Sequence, residues 1–197
     1  PDTTIKNKPY DFLYICNDDN DTCKDGWNSY IRNWKLAKQC IHIMCSVYNM
    51  NGIVIGRKNC EFLGDYGSRL KRKEFMPQDE LIKLYQHTNL LLVPNTADAS
   101  PRVITEALSC GCKILVNRNI LGGWKYVTNQ TGEFFTNKKD FEQALDKIIR
   151  RKHMYKPSHY FRKYYGTKTT GVKLYNFLKK HYSNMKKINT KYVTLLQ

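Results

Sequence analysis

The sequence predicts an α/β fold: a doubly wound, Rossmann-like parallel sheet with helices on both faces. Three observations lead there. Short apolar runs alternate with stretches of helical periodicity along most of the chain, and such alternation makes consecutive strands parallel, joined by crossover helices. The chain has 197 residues, 41% of them hydrophobic, enough for one compact domain with a sizeable core. No internal repeat, low-complexity run or stretch long enough to span a membrane interrupts the alternation.

Residues 1–10 are polar and read as a linker, and the start at Pro1-Asp2 reads as a piece of a longer chain. The domain is expected over 11–183, followed by a polar tail, 184–197. Asp11–Cys16 is a strand, and the Asp- and Asn-rich segment 17–26 a loop. Trp27, Tyr30, Ile31, Trp34, Ala37 and Ile41 recur at helical spacing, so one helix with both tryptophans packed in the core is expected. Gly52–Gly56 is a strand, 57–70 a loop, and Lys71–Met76 a short strand. Pro77-Gln-Asp-Glu-Leu81 opens a helix with Pro and acids in its first turn, its inner stripe being Leu81, Leu84 and Tyr85. Leu90–Val93 is a buried strand ended by Pro94. The next helix starts at Ser100-Pro101 and stops at Gly111. Lys113–Asn117 is a strand, Gly122-Gly123 a turn, Gly132–Phe135 a strand and Asp140–Ile149 a helix. Two further helices are expected over 157–165 and 170–183. Ligands of such sheets bind outside the carboxyl ends of the strands, which puts loops 17–26, 56–70, 94–100 and 117–123 on the functional edge.

The formal charge is +16. It would suit an anionic partner, whether nucleotide, acidic membrane surface or nucleic acid. The cations run along the chain with some enrichment at 147–187, and without an RNP-like stretch or zinc module no specific nucleic-acid role is expected; peripheral membrane contact is the other use of this charge. The seven Cys form no CxxC pair and read as reduced thiols of a cytoplasmic protein. His42, His87, His153, His159 and His181 show no metal-ligand spacing.

The segment from Val93 to Gly111 concentrates the chemistry. Ser100 suits a helix N-cap and Pro101 the first helical position, so the free N–H groups and positive dipole end beyond them suit a phosphate. Glu106 lies about 7.5 Å into the helix and leans back toward its start. A carboxylate there can accept both hydroxyls of a ribose whose diphosphate sits at the helix start. Asp98, just before the helix, can hold hydroxyls of a sugar beyond the phosphates. The plainer alternative is an Arg102–Glu106 surface ion pair and a turn-forming Asp98.

Residues 74–135 resemble the C-terminal domain of group 1 (family 4-like) GT-B glycosyltransferases. The resemblance rests on a run in order: Met76-Pro77-Gln-Asp-Glu-Leu, Leu92-Val93-Pro94-Asn95, Asp98 eight before Glu106-Ala107-Leu108, Cys110-Gly111, Ile114-Leu-Val116, Gly122-Gly123 and Thr131-Gly132-Glu-Phe-Phe. With less force it covers most of 11–180. It implies a nucleoside-diphosphate sugar as donor, UDP or GDP, with no metal required and an acceptor, a glycan, held by an upstream domain or partner chain. It assigns Glu106 to the ribose, Ser100 and its neighbours to the phosphates, Lys24 to the diphosphate and Asp98 to the sugar, and counts Met76 among the donor-binding residues. Three departures stand out. Asp98 replaces the usual Glu, Ala99-Ser100-Pro101-Arg102 replaces a Gly-Phe-Gly segment, and Asn17 replaces the usual Arg after the first strand, leaving Arg102 or Arg57 to supply that charge. A non-catalytic nucleotide-sugar-binding module is the alternative use of the same fold.

Overall fold

The computed structural model describes residues 8–182; the expected tail 184–197 and residues 1–7 of the expected linker lie outside them. Six strands and seven α-helices follow in order: β1 (Tyr10–Ile15), α1 (Trp27–Ile31), α2 (Trp34–His42), β2 (Gly52–Ile55), β3 (Leu70–Lys73), α3 (Gln78–Gln86), β4 (Thr88–Val93), α4 (Arg102–Ser109), β5 (Lys113–Asn117), β6 (Gly132–Phe135), α5 (Lys138–Arg150), α6 (Pro157–Tyr165) and α7 (Thr167–His181). All strand pairings are parallel, in the order β3-β2-β1-β4-β5-β6. The chain winds outward from β1 to β3, then crosses back and winds outward from β4 to β6. The direction reverses between β1 and β4, and their carboxyl ends open the crevice where such sheets bind ligands.

Side-chain alternation splits the core into two layers. Phe12, Tyr14, Val54, Leu90, Leu92 and Leu115 pack on one face with Ala37 and Ile41 of α2 and Phe141 and Leu145 of α5. Leu13, Ile53, Leu91, Val93, Ile114 and Val116 face the other way, onto Tyr85 of α3 and Ile104, Ala107 and Leu108 of α4. Each fully buried leucine here stabilises the fold by roughly 1.5–3 kcal/mol relative to exposure. Both faces are covered, so the central strands read as unbroken apolar runs. β3, at one edge, carries exposed Lys71, Arg72 and Lys73, which blunt it against pairing with another chain.

Several expectations need correction. The single helix over Trp27–Ile41 is two. Asn33 adopts a left-handed conformation, φ 49°, and its side chain accepts the Leu36 N–H at 3.4 Å, closing α1 and starting α2. The break separates the two tryptophans. Trp34 is buried and stacks on Tyr14, whereas Trp27 is 69% exposed. β3 ends at Lys73, short of the predicted Met76, because Glu74, Phe75 and Pro77 run out over solvent. Tyr10, expected in the linker, belongs to β1, and the Lys8 ammonium donates to the carbonyls of Thr88, Cys110 and Gly111, satisfying the C-terminal end of α4.

The cysteines are not all thiols. Cys23 and Cys60 form a disulfide across 37 residues of sequence; the other five are free. It joins the loop after β1 to the loop after β2, a pairing that sequence spacing does not reveal. Closing a loop of this length stabilises by about 3–4 kcal/mol when the unfolded chain is otherwise random. The Cys23→Ser/Cys60→Ser protein is therefore expected to melt about 5–10 °C lower than the oxidised wild type. Calorimetry with and without dithiothreitol checks this, and identical melting of oxidised and reduced wild type would refute it.

Candidate functional site: the crevice between the first and fourth strands

The wall on the β4 side starts at Pro94, whose carbonyl accepts from the buried Asn117 amide at 3.0 Å, tying this loop to the end of β5. Asn95, also buried, donates to Asp98 Oδ2 at 3.0 Å. Asp98 Oδ1 accepts the Ser100 N–H at 3.3 Å, an Asx-type turn that bends the chain into α4. Ser100 is therefore not the helix cap. Pro101 takes that position with extended backbone, α4 begins at Arg102, and no side chain caps it. By helix geometry the N–H groups of Arg102 and Val103 lack intrahelical acceptors and face outward at the positive dipole end.

The double glycine supports this turn. A Cβ on Gly122 would stand 2.0 Å from the Ala99 carbonyl oxygen, and Gly123 has φ +89° and packs on Pro101. Only residues without side chains let the loop after β5 press so close. A cavity of about 380 Å³ opens beside the α4 N-terminus, lined by Ser100, Arg102, Thr105, Trp124 and Lys125. A larger one, about 660 Å³, lies at Leu36, Gln39 and the start of α5. There Asn137 already caps the helix N–H groups, so the smaller cavity is the better anion site.

Glu106 lies one turn inside α4, half-buried, and faces α3. Its Oε1 accepts from Gln78 Nε2 at 3.0 Å and its Oε2 from the Tyr85 hydroxyl at 3.3 Å. Burial, then the neighbouring Glu106 carboxylate, push the Tyr85 phenol well above its ordinary value, so it remains a donor. The Arg102–Glu106 ion pair that sequence spacing allowed is not formed. The carboxylate is held from below by α3, with lone pairs left for hydroxyl donors. Met76, half-buried at the start of α3, stands next to this wall.

The opposite wall is the loop after β1. Asn17 is exposed at the strand end and Lys24 is exposed further along. The Lys24 backbone is fixed: Asn20 accepts its N–H at 2.9 Å and donates to its carbonyl at 3.1 Å, beside the Cys23 disulfide. Asp19 accepts the N–H groups of Asn28 and Ser29 at 2.6 and 2.8 Å, so the start of α1 is already capped. Arg57 is not a donor-site cation. It is fully buried, and its guanidinium donates to Asp19 at 2.7 Å and Cys16 Sγ at 3.2 Å.

Arg32, at the end of α1, crosses the crevice and meets Asp98 at 2.6 Å. The Thr96 N–H donates to the Ile31 carbonyl at 3.1 Å beside it. The structure thus brings Asp98, Ser100, Arg102 and Glu106 together on one wall and faces them with the loop of Asn17 and Lys24; Arg57 lies beneath. Arg32, Gln78 and Tyr85 were not apparent in the sequence, where each is an ordinary helix residue whose partner lies 66, 28 and 21 positions away. Among the described residues no group of three or more His, Cys, Asp or Glu is placed to hold a metal ion.

Residues 65–167 match the family described as "Glycosyl transferases group 1". The chain belongs to that family. Solved structures agree on the GT-B fold of this group 1 domain. The GtfA/B complex superposes with a TM-score of 0.62 over 88% of this chain and 36% of that one, at 15% identity. Anabaena Alr3699/HepE, solved with UDP and glucose, gives 0.60 over 87% and 48%, at 13% identity. The C-terminal domain of LpcC, a glycosyl transferase group 1 family protein from Francisella tularensis, gives 0.56 over 75% and 80%, at 12% identity. The chain therefore spans less than half of GtfA/B and HepE but most of the isolated LpcC domain. No curated protein matches it by sequence.

Proposed function

We propose that this group 1 domain binds a UDP- or GDP-sugar in the β1/β4 crevice and takes part in transfer of the sugar to a glycan acceptor. The observation that carries the reading is the α4 start: a helix N-terminus with no side-chain cap, with Glu106 held half-buried one turn further on by Tyr85 and Gln78. The N–H groups of Arg102 and Val103 and the Lys24 ammonium hold the diphosphate, Glu106 accepts the ribose hydroxyls and Asp98 orients the sugar. In the reaction the bond from the sugar's anomeric carbon to the phosphate oxygen breaks and a bond to an acceptor oxygen forms. The acceptor hydroxyl gives up its proton, and the nucleoside diphosphate leaves with the bonding pair. Helix dipole and cations stabilise the charge that grows on that leaving group. A second domain, upstream or from a partner chain, brings the acceptor. The presence of UDP in HepE supports a uridine donor.

A thermal-shift series with UDP-, GDP-, ADP- and TDP-sugars tests the reading, since a ligand bound at a hundred times its Kd stabilises by about 2.7 kcal/mol. No shift with any of the four would remove it. The Arg32–Asp98 contact makes a finer prediction. Arg32→Ala leaves Asp98 without one of its orienting donors. Affinity for the nucleotide sugar is expected to fall about tenfold, roughly one charge-assisted hydrogen bond, while affinity for the free nucleoside diphosphate stays within about twofold. Calorimetric titration of both ligands separates the two effects; equal losses would place Arg32 on the phosphates instead.

A further inference from the structure

Glu106 and the cavity at the start of α4 lie on different flanks of one helix. At about 100° per residue, neighbouring side chains such as Thr105 and Glu106 point well apart. Glu106 faces α3, whereas Thr105 lines the cavity with Ser100, Arg102, Trp124 and Lys125. A nucleoside diphosphate whose ribose meets Glu106 therefore carries its phosphates across the open N–H groups of the helix start. The phosphate farther from the ribose arrives on the cavity side.

Two cations of the crevice are already neutralised. Arg32 pairs with Asp98 at 2.6 Å, and Arg57 is buried on Asp19 at 2.7 Å. Lys125 is exposed, and no acid pairs with it among the described residues. Its ammonium lies 5.1 Å from the ring centroid of Tyr126 and 5.7 Å from that of Tyr165. Aromatic faces attract an ammonium without neutralising it. Lys173 approaches the same Tyr165 ring, also at 5.7 Å. Two like charges on one ring, with Arg102 lining the cavity beside Lys125, repel one another until an anion joins them. The turn that carries Lys125 is fixed. Gly123 packs on Pro101, the Tyr126 carbonyl accepts the Thr131 hydroxyl at 2.6 Å, and the Lys125 carbonyl accepts the Tyr165 hydroxyl at 3.3 Å. A flexible four-carbon stem on a fixed backbone can bring its ammonium to a phosphate in the cavity.

We propose that Lys125 is the cation that meets the far phosphate of the donor and stabilises it as the leaving group, an inference that rests on the donor reading above. When the bond from the anomeric carbon to the phosphate oxygen breaks, the bonding pair stays on that oxygen. The far phosphate becomes terminal and gains negative charge. A cation held there stabilises the transition state more than the bound donor. Lys125 should therefore favour the free nucleoside diphosphate over the nucleotide sugar, whereas Glu106 holds the ribose of both alike.

Titration calorimetry of the full chain with UDP, UDP-glucose and UMP tests the proposal, or with the guanosine counterparts where those give the thermal shift. Lys125→Gln is expected to weaken UDP about tenfold, UDP-glucose about threefold and UMP, which lacks the far phosphate, by less than about twofold. The loss for UDP should narrow as NaCl screens it. Lys125→Arg returns the charge and should restore most of the UDP affinity. Lys139→Gln removes the same charge from the larger cavity, on the other face of the sheet, and should leave all three affinities unchanged. Lys125 and Lys139 are exposed, so the variants should fold, which unchanged circular dichroism checks. If Lys125→Gln binds UDP as wild type does, loses UDP and UMP equally, or is not rescued by Lys125→Arg, the proposal falls and the donor site stands without it. A loss confined to Lys139→Gln would put the phosphates in the larger cavity and overturn both readings. Wild type that binds none of these nucleotides would remove the donor reading, and this one with it.

Discussion

Glu106→Ala should abolish the thermal shift produced by a nucleoside diphosphate and reduce affinity for it about a hundredfold. The magnitude follows from the site. A carboxylate that accepts two ribose hydroxyls makes two charge-assisted hydrogen bonds, worth about 1.5 kcal/mol or more each, and about 3 kcal/mol is a little over two decades of Kd. The fold should tolerate the change, because Glu106 is only half-buried and Gln78 can turn to solvent. Tyr85 is the sensitive neighbour: it is fully buried, and the substitution removes the acceptor of its hydroxyl. A loss of about 1–2 kcal/mol in stability is expected from that orphaned donor. Glu106→Gln keeps an acceptor for Tyr85, so it should restore the stability without restoring the affinity. Titration calorimetry beside urea unfolding of both variants measures the two quantities separately. If Glu106→Ala binds UDP and UDP-sugars as wild type does, the carboxylate is a strut between α3 and α4 and the nucleotide lies elsewhere.

How much of this was legible beforehand can be traced to where each interaction lives. The parallel sheet follows from local signals, the apolar runs at β1, β2, β4 and β5 and the helical periods between them, and all appear close to their predicted places. The α4 segment was legible for the same reason: Asp98, Pro101, Glu106 and Gly111 lie within 14 consecutive residues, and local geometry decides what they face. The errors fall where tertiary contacts choose. Ser100 has the chemistry of a cap, but Asp98 takes its N–H and Pro101 takes the cap position. Arg57 has the chemistry of a phosphate ligand, but its left-handed backbone, φ 56°, at the end of β2 turns it under the sheet edge onto Asp19. The break at Asn33 that exposes Trp27 has a local cue, an Asn able to adopt φ > 0 and to cap a helix, but a helical period that continues across it hides the cue. Cys23–Cys60 and Arg32–Asp98 join distant segments, and no spacing rule reaches them.

The pair of Arg57 and Asp19 carries the largest expected stability effect, and it decides whether the loop bearing Lys24 stays in place. The Arg57 side chain is wholly buried and that of Asp19 is 6% exposed. Cys16, the other partner, gives no counter-charge, because burial pushes its thiol up and keeps it protonated. Asp19→Asn therefore leaves a buried guanidinium uncompensated, and breaking such a pair costs about 3–5 kcal/mol, a large part of a domain's stability. Arg57→Met should cost less, since the remaining carboxylate still accepts two N–H groups at the start of α1. The asymmetry in urea unfolding is the test; equal and small losses would mean that the pair is relaxed by water. The pH dependence has a fixed sign. Burial opposes ionisation of Asp19, but the N–H groups of Ser29 and Asn28 and the guanidinium outweigh it and hold its carboxyl below the ordinary 3.8. A depressed carboxylate gives its stability in full above the unfolded value and loses it as pH falls through the folded one, so this contribution persists at neutral pH, begins to fall only below about pH 4 and is gone once the pH lies under the folded value. Asp19→Asn should flatten that part of the acid limb. Because Asp19 holds both α1 and Arg57, the same substitution should loosen the β1 loop and weaken diphosphate binding before the domain unfolds, which protection of the Asn28 and Ser29 amides from hydrogen exchange would report directly.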